Sequence, residues 1–148
     1  MVINLIEDDT IELLKECNSG VKMGIASIKE VINQVENNEF KNLLEMSINR
    51  HQKLGDETRK VLNRYDDTGE QPNAMAKSMS WMKTNIKMAI SPTDETISDL
   101  ITDGCNMGVK SLNKYLNEYE AASEEAKDIA KKLINEEENL ARDIRRYL

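Results

Sequence analysis

The sequence predicts an all-α protein: a four-helix bundle built from two repeated helical hairpins, with a long helical crossover between the second and third helices. Three observations carry that expectation. Glycine (six) and proline (two) are scarce among 148 residues, so helix formers dominate and little material remains for hairpin turns. Apolar residues recur at steps of three and four over long stretches, which is the signature of a helix with one buried face. Finally, "CNSGVK" at 17–22 returns as "CNMGVK" at 105–110, and each copy opens with one of the chain's two cysteines.

The first helix is expected over 9–35. Asp9 and Glu12 make a capping-box-like start, and Ile11, Leu14, Cys17, Val21, Ile25, Ile28, Ile32 and Val35 form its stripe. "ENN" at 36–38 breaks it, with Asn38 as the next cap. The second helix, 39–65, turns Phe40, Leu44, Ser47, His51, Leu54, Thr58, Leu62 and Tyr65 inward. "DDTGEQPN" at 66–73 is a loop, and a shorter amphipathic segment follows at 74–90. "SPTDE" at 91–95 then starts a third helix over 92–120, with Ser91 as cap and Pro92 in the first turn. Ser123 caps the fourth, 124–148, whose stripe is Ala126, Ala130, Leu133, Glu137, Leu140, Ile144 and Tyr147. Helices of this size are ~35–40 Å long at 1.5 Å per residue.

The repeat extends beyond the hexapeptide, because "EFKNLLEMSINRHQKL" (39–54) aligns with "EAKDIAKKLINEEENL" (125–140). Each half is thus one helical hairpin that needs the other to bury its apolar face. The middle connection is far longer than an up-down-up-down bundle requires and holds a helix of its own. It is long enough to run the length of the bundle and leave the second and third helices parallel.

The whole chain, 1–148, reads as one domain. A net charge of −7 argues against nucleic acid as a partner. Arg142, Arg145 and Arg146 sit among acids and complement the dipole of a last helical turn. No apolar run approaches the ~20 residues of a membrane span, and the start lacks a secretory pattern. The expected home is therefore the cytoplasm, with both thiols reduced.

Each predicted helix carries, in the middle of its stripe, one residue that is a potential metal ligand: Cys17, His51, Cys105 and Glu137. The repeat maps Cys17 onto Cys105 and His51 onto Glu137. With approximate two-fold symmetry the four would converge in the core, and two thiolates, an imidazole and a carboxylate form a set that zinc accepts. The same residues have a plainer reading. Cysteines behave as small buried hydrophobes, and His51 and Glu137 hydrogen-bond each other. A Cys17–Cys105 disulfide is conceivable, but a reducing cytoplasm opposes it. Glu36, Glu39, Glu45 and the run Glu136–Glu138 read as solvated faces, with Glu137 alone turned inward. Met75, Met79, Trp81, Met82 and Ile86 either cover the outside of the bundle or form an interface anchored by Trp81. No Ser-His-Asp set and no phosphate-binding loop is present, and His51 is the only histidine.

The order Ser47-Ile48-Asn49-Arg50-His51, Trp81-Met82-Lys83 and Gly104-Cys105-Asn106 resembles the bacterial ferritin-like four-helix-bundle domains of unknown function. The resemblance implies a ferritin-like scaffold and covers nearly the whole chain from about residue 8. It also implies that the di-metal ligand set is largely substituted. Such sites pair a Glu from each of two helices with a Glu-x-x-His from each of the others. Here Ile48 precedes His51, Ile134 precedes Glu137, and Cys105 and Asn106 stand where the family shows acids. Cys17 and Asn18 hold the equivalent place in the first helix. The expectation is a non-catalytic structural or protein-interaction module, homodimeric or bound to another protein, with no cofactor. The alternative is a zinc or iron protein using Cys17, His51, Cys105 and Glu137.

Overall fold

The computed structural model describes residues 2–65, 67 and 92–148. Among them the chain forms four α-helices and no strand: α1 Val2–Val31, α2 Asn38–Asn63, α3 Asp94–Glu118 and α4 Glu124–Asp143. Short 3-10 turns at Ile32–Gln34 and Arg145–Tyr147 finish α1 and α4. The segment expected as a helix at 74–90, with Met75, Met79, Trp81, Met82 and Ile86, lies outside the described residues. No helix among the described residues is long and apolar enough to cross a membrane.

The helix starts follow cap chemistry, at positions that differ in part from the expected ones. Asn37, not Asn38, caps α2: its backbone is extended and its side chain accepts from the Phe40 amide at 3.0 Å. Thr93 caps α3 by accepting from the Thr96 amide at 3.2 Å, so the helix begins two residues after Pro92. Ser123 caps α4 as expected, through the Ala126 amide.

α1 begins well before Asp9, so Asp9 is a mid-helix residue and caps nothing in α1. Its carboxylate instead accepts from the Ala121 amide at 3.0 Å, in the turn between α3 and α4. Beside it, Thr10 Oγ1 donates to the Ile6 carbonyl at 2.6 Å and accepts from the Ser123 amide at 2.8 Å. The pattern taken for a local cap thus serves a distant turn.

These clasps fix the helix directions. The early part of α1 holds the end of α3. At the opposite end, Asp94 at the start of α3 accepts from the Glu36 and Asn37 amides of the α1–α2 turn, both at 2.9 Å. α1 and α3 are therefore antiparallel. α2 and α4 are antiparallel too, because Ser47 meets Glu136 and Arg64 meets Glu125. α2 and α3 consequently point the same way.

The apolar core forms two clusters. One gathers Leu13, Leu14, Cys17, Val21, Leu62, Leu112, Ile129 and Leu133. The other gathers Ile28, Val31, Phe40, Leu44, Ile97, Ile101, Cys105, Leu140 and Ile144, and Tyr147 stacks on Phe40 at 4.5 Å between ring centroids. Along α2 and α4 the residues between these clusters are polar and buried: Ser47, His51, Glu136 and Glu137.

The Asp94 clasp is testable by urea unfolding. Asp94→Ala removes an acceptor shared by two backbone amides at a solvent-exposed site, so a loss of about 1–2 kcal/mol is expected. Asp94→Asn, which keeps one carbonyl oxygen, should lose less. Equal midpoints for all three proteins would show that the clasp contributes nothing.

Candidate functional site

The polar band is built by helical spacing. Ser47 and His51 lie four residues apart on the buried stripe of α2, and adjacent Glu136 and Glu137 reach them from α4. His51 Nδ1 lies 2.8 Å from the Ser47 carbonyl oxygen. A carbonyl only accepts, so Nδ1 carries a proton. His51 Nε2 lies 2.5 Å from Glu137 Oε1. Ser47 Oγ donates to Glu136 Oε1 at 2.9 Å, and lies 3.3 Å from His51 Nδ1. The imidazole is fully buried, and both glutamates are nearly so.

Room for the ring comes from Gly24 on α1. A Cβ at that position would stand 2.7 Å from His51 Nε2 and 2.8 Å from Cδ2, closer than atoms pack. The glycine permits close approach of α1 to the His51–Glu137 pair.

The electrostatics favour an ion pair. Burial alone would strip the His51 proton, but the Glu137 hydrogen bond and charge, the Ser47 carbonyl and Glu136 together raise its pKa above the ordinary 6.5. Burial raises the Glu136 carboxyl above its ordinary value, against the Ser47 hydrogen bond and the charges of His51 and Arg50, while Glu137 adds to the rise. Cys17 is pushed up to about 12 by burial and by Glu16. Burial and the charge of Glu137 likewise push the Cys105 thiol upward. Both cysteines are free and buried, so they sit as protonated core groups.

Of the four residues expected to converge, His51 and Glu137 meet, and Cys105 joins them on the wall of one cavity of about 40 Å³. Cys17 does not line it. The repeat explains the split. Facing pairs between α2 and α4 run Arg64–Glu125, Glu57–Lys132 and His51–Glu137, so the pair related by the repeat is also the pair that faces across the bundle. Between α1 and α3, Glu16 faces Tyr115, which places Cys17 about nine residues along the axis from Cys105, ~13 Å at 1.5 Å per residue. That separation also excludes the conceivable disulfide. Among the described residues no three His, Cys, Asp or Glu side chains are grouped to hold a metal ion.

Three members of the site escape a reading of the sequence. Glu136 was expected on a solvated face and is instead buried against Ser47. Ser47 stood in the α2 stripe and opened the motif that ends at His51 without a role of its own, and Gly24 carried no signal except its place two residues after the first hexapeptide. Glu16 is a further buried acid: its carboxyl is raised chiefly by burial, and its Oε2 has no hydrogen-bond partner.

Fold and site together define an all-helical four-helix bundle whose core carries a buried imidazole–carboxylate pair. The chain belongs to the family described as "Domain of unknown function (DUF2383)", whose model matches residues 9–118. That span runs through α1, α2 and α3, so Glu136 and Glu137 on α4 lie beyond it. No curated protein and no solved structure matches the chain.

Two outcomes test the site. Gly24→Ala drives a methyl into His51 and should cost about 1–3 kcal/mol. Gly108→Ala, whose added carbon has Glu137 atoms as its nearest neighbours at 3.6 Å or more, should instead gain about 0.5–1 kcal/mol from helix propensity. Equal effects in thermal melts would remove the special role of Gly24.

The second outcome concerns pH. A His pKa raised on folding means that the native state holds its proton more tightly than the unfolded chain. Its stabilisation is full below 6.5 and is lost as pH rises through the folded value. Raised Glu136 acts with the same sign, beginning lower, from 4.5. Urea stability should therefore fall as pH climbs above 6.5, and His51→Gln should flatten that decline. An identical slope in the variant would assign the effect elsewhere.

Proposed function

We propose that this chain is a ferritin-like helical bundle whose core performs no metal chemistry, and that it acts as a non-catalytic structural or protein-interaction module. The observation that carries this reading is the saturation of His51. Nδ1 donates to the Ser47 carbonyl and Nε2 faces the Glu137 carboxylate, so neither nitrogen offers a lone pair to a metal. Glu137 Oε1 is engaged by the same contact. Ile48 and Ile134 stand where a carboxylate-bridged site would place its glutamates, and hard metal ions want oxygen ligands.

The ferritin-like assignment is supported by the shared direction of α2 and α3. The chain leaves α2 at one end of the bundle and enters α3 at the other, which suits a connection crossing the bundle's length. Two free, protonated thiols suit a reducing cytoplasm. Leu5 and Ile6, both well exposed on α1, offer apolar surface for a second copy or another protein.

The alternative of a zinc or iron protein draws on one observation, that His51, Cys105 and Glu137 share a cavity wall. It would require His51 to release Glu137 and Cys105 to lose its proton. The single histidine makes the choice measurable by nitrogen-15 NMR of its ring. The module reading expects two protonated ring nitrogens near neutral pH, unchanged by zinc, in protein free of stoichiometric metal. A stoichiometric zinc-induced shift of Nε2 would overturn it. Light scattering on the same sample should show a dimer, and a concentration-independent monomer would remove self-association from the proposal.

A further inference from the structure

We propose that the cavity beside Glu137 is a binding site for a small primary alkylammonium ion. The cavity lies between α1 and α3, where Gly20 and Gly24 on one helix and Gly104 and Gly108 on the other leave bare backbone in the wall. Ile28, Leu112 and Leu133 supply apolar surface. The polar floor is the His51–Glu137 pair, with the Cys105 thiol beside it. Glu137 Oε1 is taken by His51, while Oε2 faces the side where Gly108 has no side chain.

Three properties select the ligand. In size, the cavity of about 40 Å³ holds a few linked heavy atoms, since one water needs roughly 10–15 Å³ by the same measure. In hydrogen bonding, a carboxylate only accepts, so the head group must donate. In charge, Glu137 is the one acid among the described residues of the cavity wall, and its Oε2 is the oxygen turned toward Gly108. Burial, and then the charge of Glu137, holds the thiol on the wall protonated. An anion is therefore repelled and a donating cation is favoured over a neutral alcohol. The ammonium would meet Glu137 Oε2 through a charge-assisted hydrogen bond.

The inference rests on the metal-free reading of the His51–Glu137 pair, so the test uses the full chain after chelation, with its metal content measured. Propylammonium, 1-propanol, propionate and cyclohexylammonium are titrated in turn, following the His51 ring nitrogens and the amides of Gly24, Cys105 and Gly108. Propylammonium should give a saturable shift at these groups, bind at least about tenfold more tightly than propanol, and exceed cyclohexylammonium; propionate should not bind. Gly108→Ala, which places a methyl 3.6 Å from Glu137 Oε2 without a clash, should weaken propylammonium at least about tenfold while the chain stays folded. Equal binding of propanol or propionate would overturn the charge argument. Equal binding of cyclohexylammonium would place the amine on the acidic surface and overturn the cavity, as would unchanged binding in folded Gly108→Ala. Metal-free protein with no saturable shift would end this inference and leave the module reading intact, whereas stoichiometric metal at His51 would end both.

Discussion

The contact between His51 and Glu137 constrains the middle of this bundle more than any other. Two ionisable groups are removed from water at the level where the two apolar clusters meet, and each would be costly to bury without the other. Their geometry answers the desolvation cost with further hydrogen bonds: the Ser47 carbonyl takes the second imidazole proton, and the Ser47 hydroxyl occupies Glu136. A buried pair of this kind adds little net stability against a well-packed apolar alternative. It does fix which residues face each other, because any axial slip of α4 along α2 leaves a buried charge alone. Gly24 belongs to the same constraint, since α1 can close over the ring only where it has no side chain.

The bundle ends are held differently, by side chains that serve backbone groups of distant turns. Asp9 and Thr10 satisfy the turn before α4, and Asp94 satisfies the turn before α2. Amides at helix starts lack intrahelical partners, and these acids and the hydroxyl supply acceptors for them across the bundle. The clasps at the two ends and the ion pair between them give α1, α3 and the α2–α4 pair one register. That register puts α2 and α3 in the same direction.

Much of this was legible in the sequence, and the reasons are physical. Periodicity located four helices because apolar burial on one face imposes the three-and-four spacing that Leu14, Val21 and Ile28, or Leu133 and Leu140, display. The repeat identified His51 and Glu137 as partners because they lie close to the two-fold relation between hairpins. The same logic misplaced Cys17, since residues related by the repeat approach each other only near that axis, and Cys17 and Cys105 lie to either side of it. Asp9 looked like a cap because a local pattern cannot reveal that a carboxylate is committed to Ala121. Glu136 looked solvated because a one-dimensional stripe is narrower than the buried strip of a helix wedged between neighbours. Gly24 was silent because its role is the absence of a side chain opposite a ring contributed by another helix.

The residues around the His51–Glu137 pair are consistent with its charge. Ile48 and Ile134 bring no charge to the band, and Glu137, buried there, needs a cation beside it. A protonated histidine supplies that charge from within the chain. Cys105 is compatible with this arrangement because a buried thiol beside Glu137 stays neutral. The twin cysteine motifs therefore mark equivalent places in two hairpins but different surroundings. Cys17 lies in the cluster with Leu13 and Leu14, away from the cavity, and Cys105 lines the cavity beside Glu137.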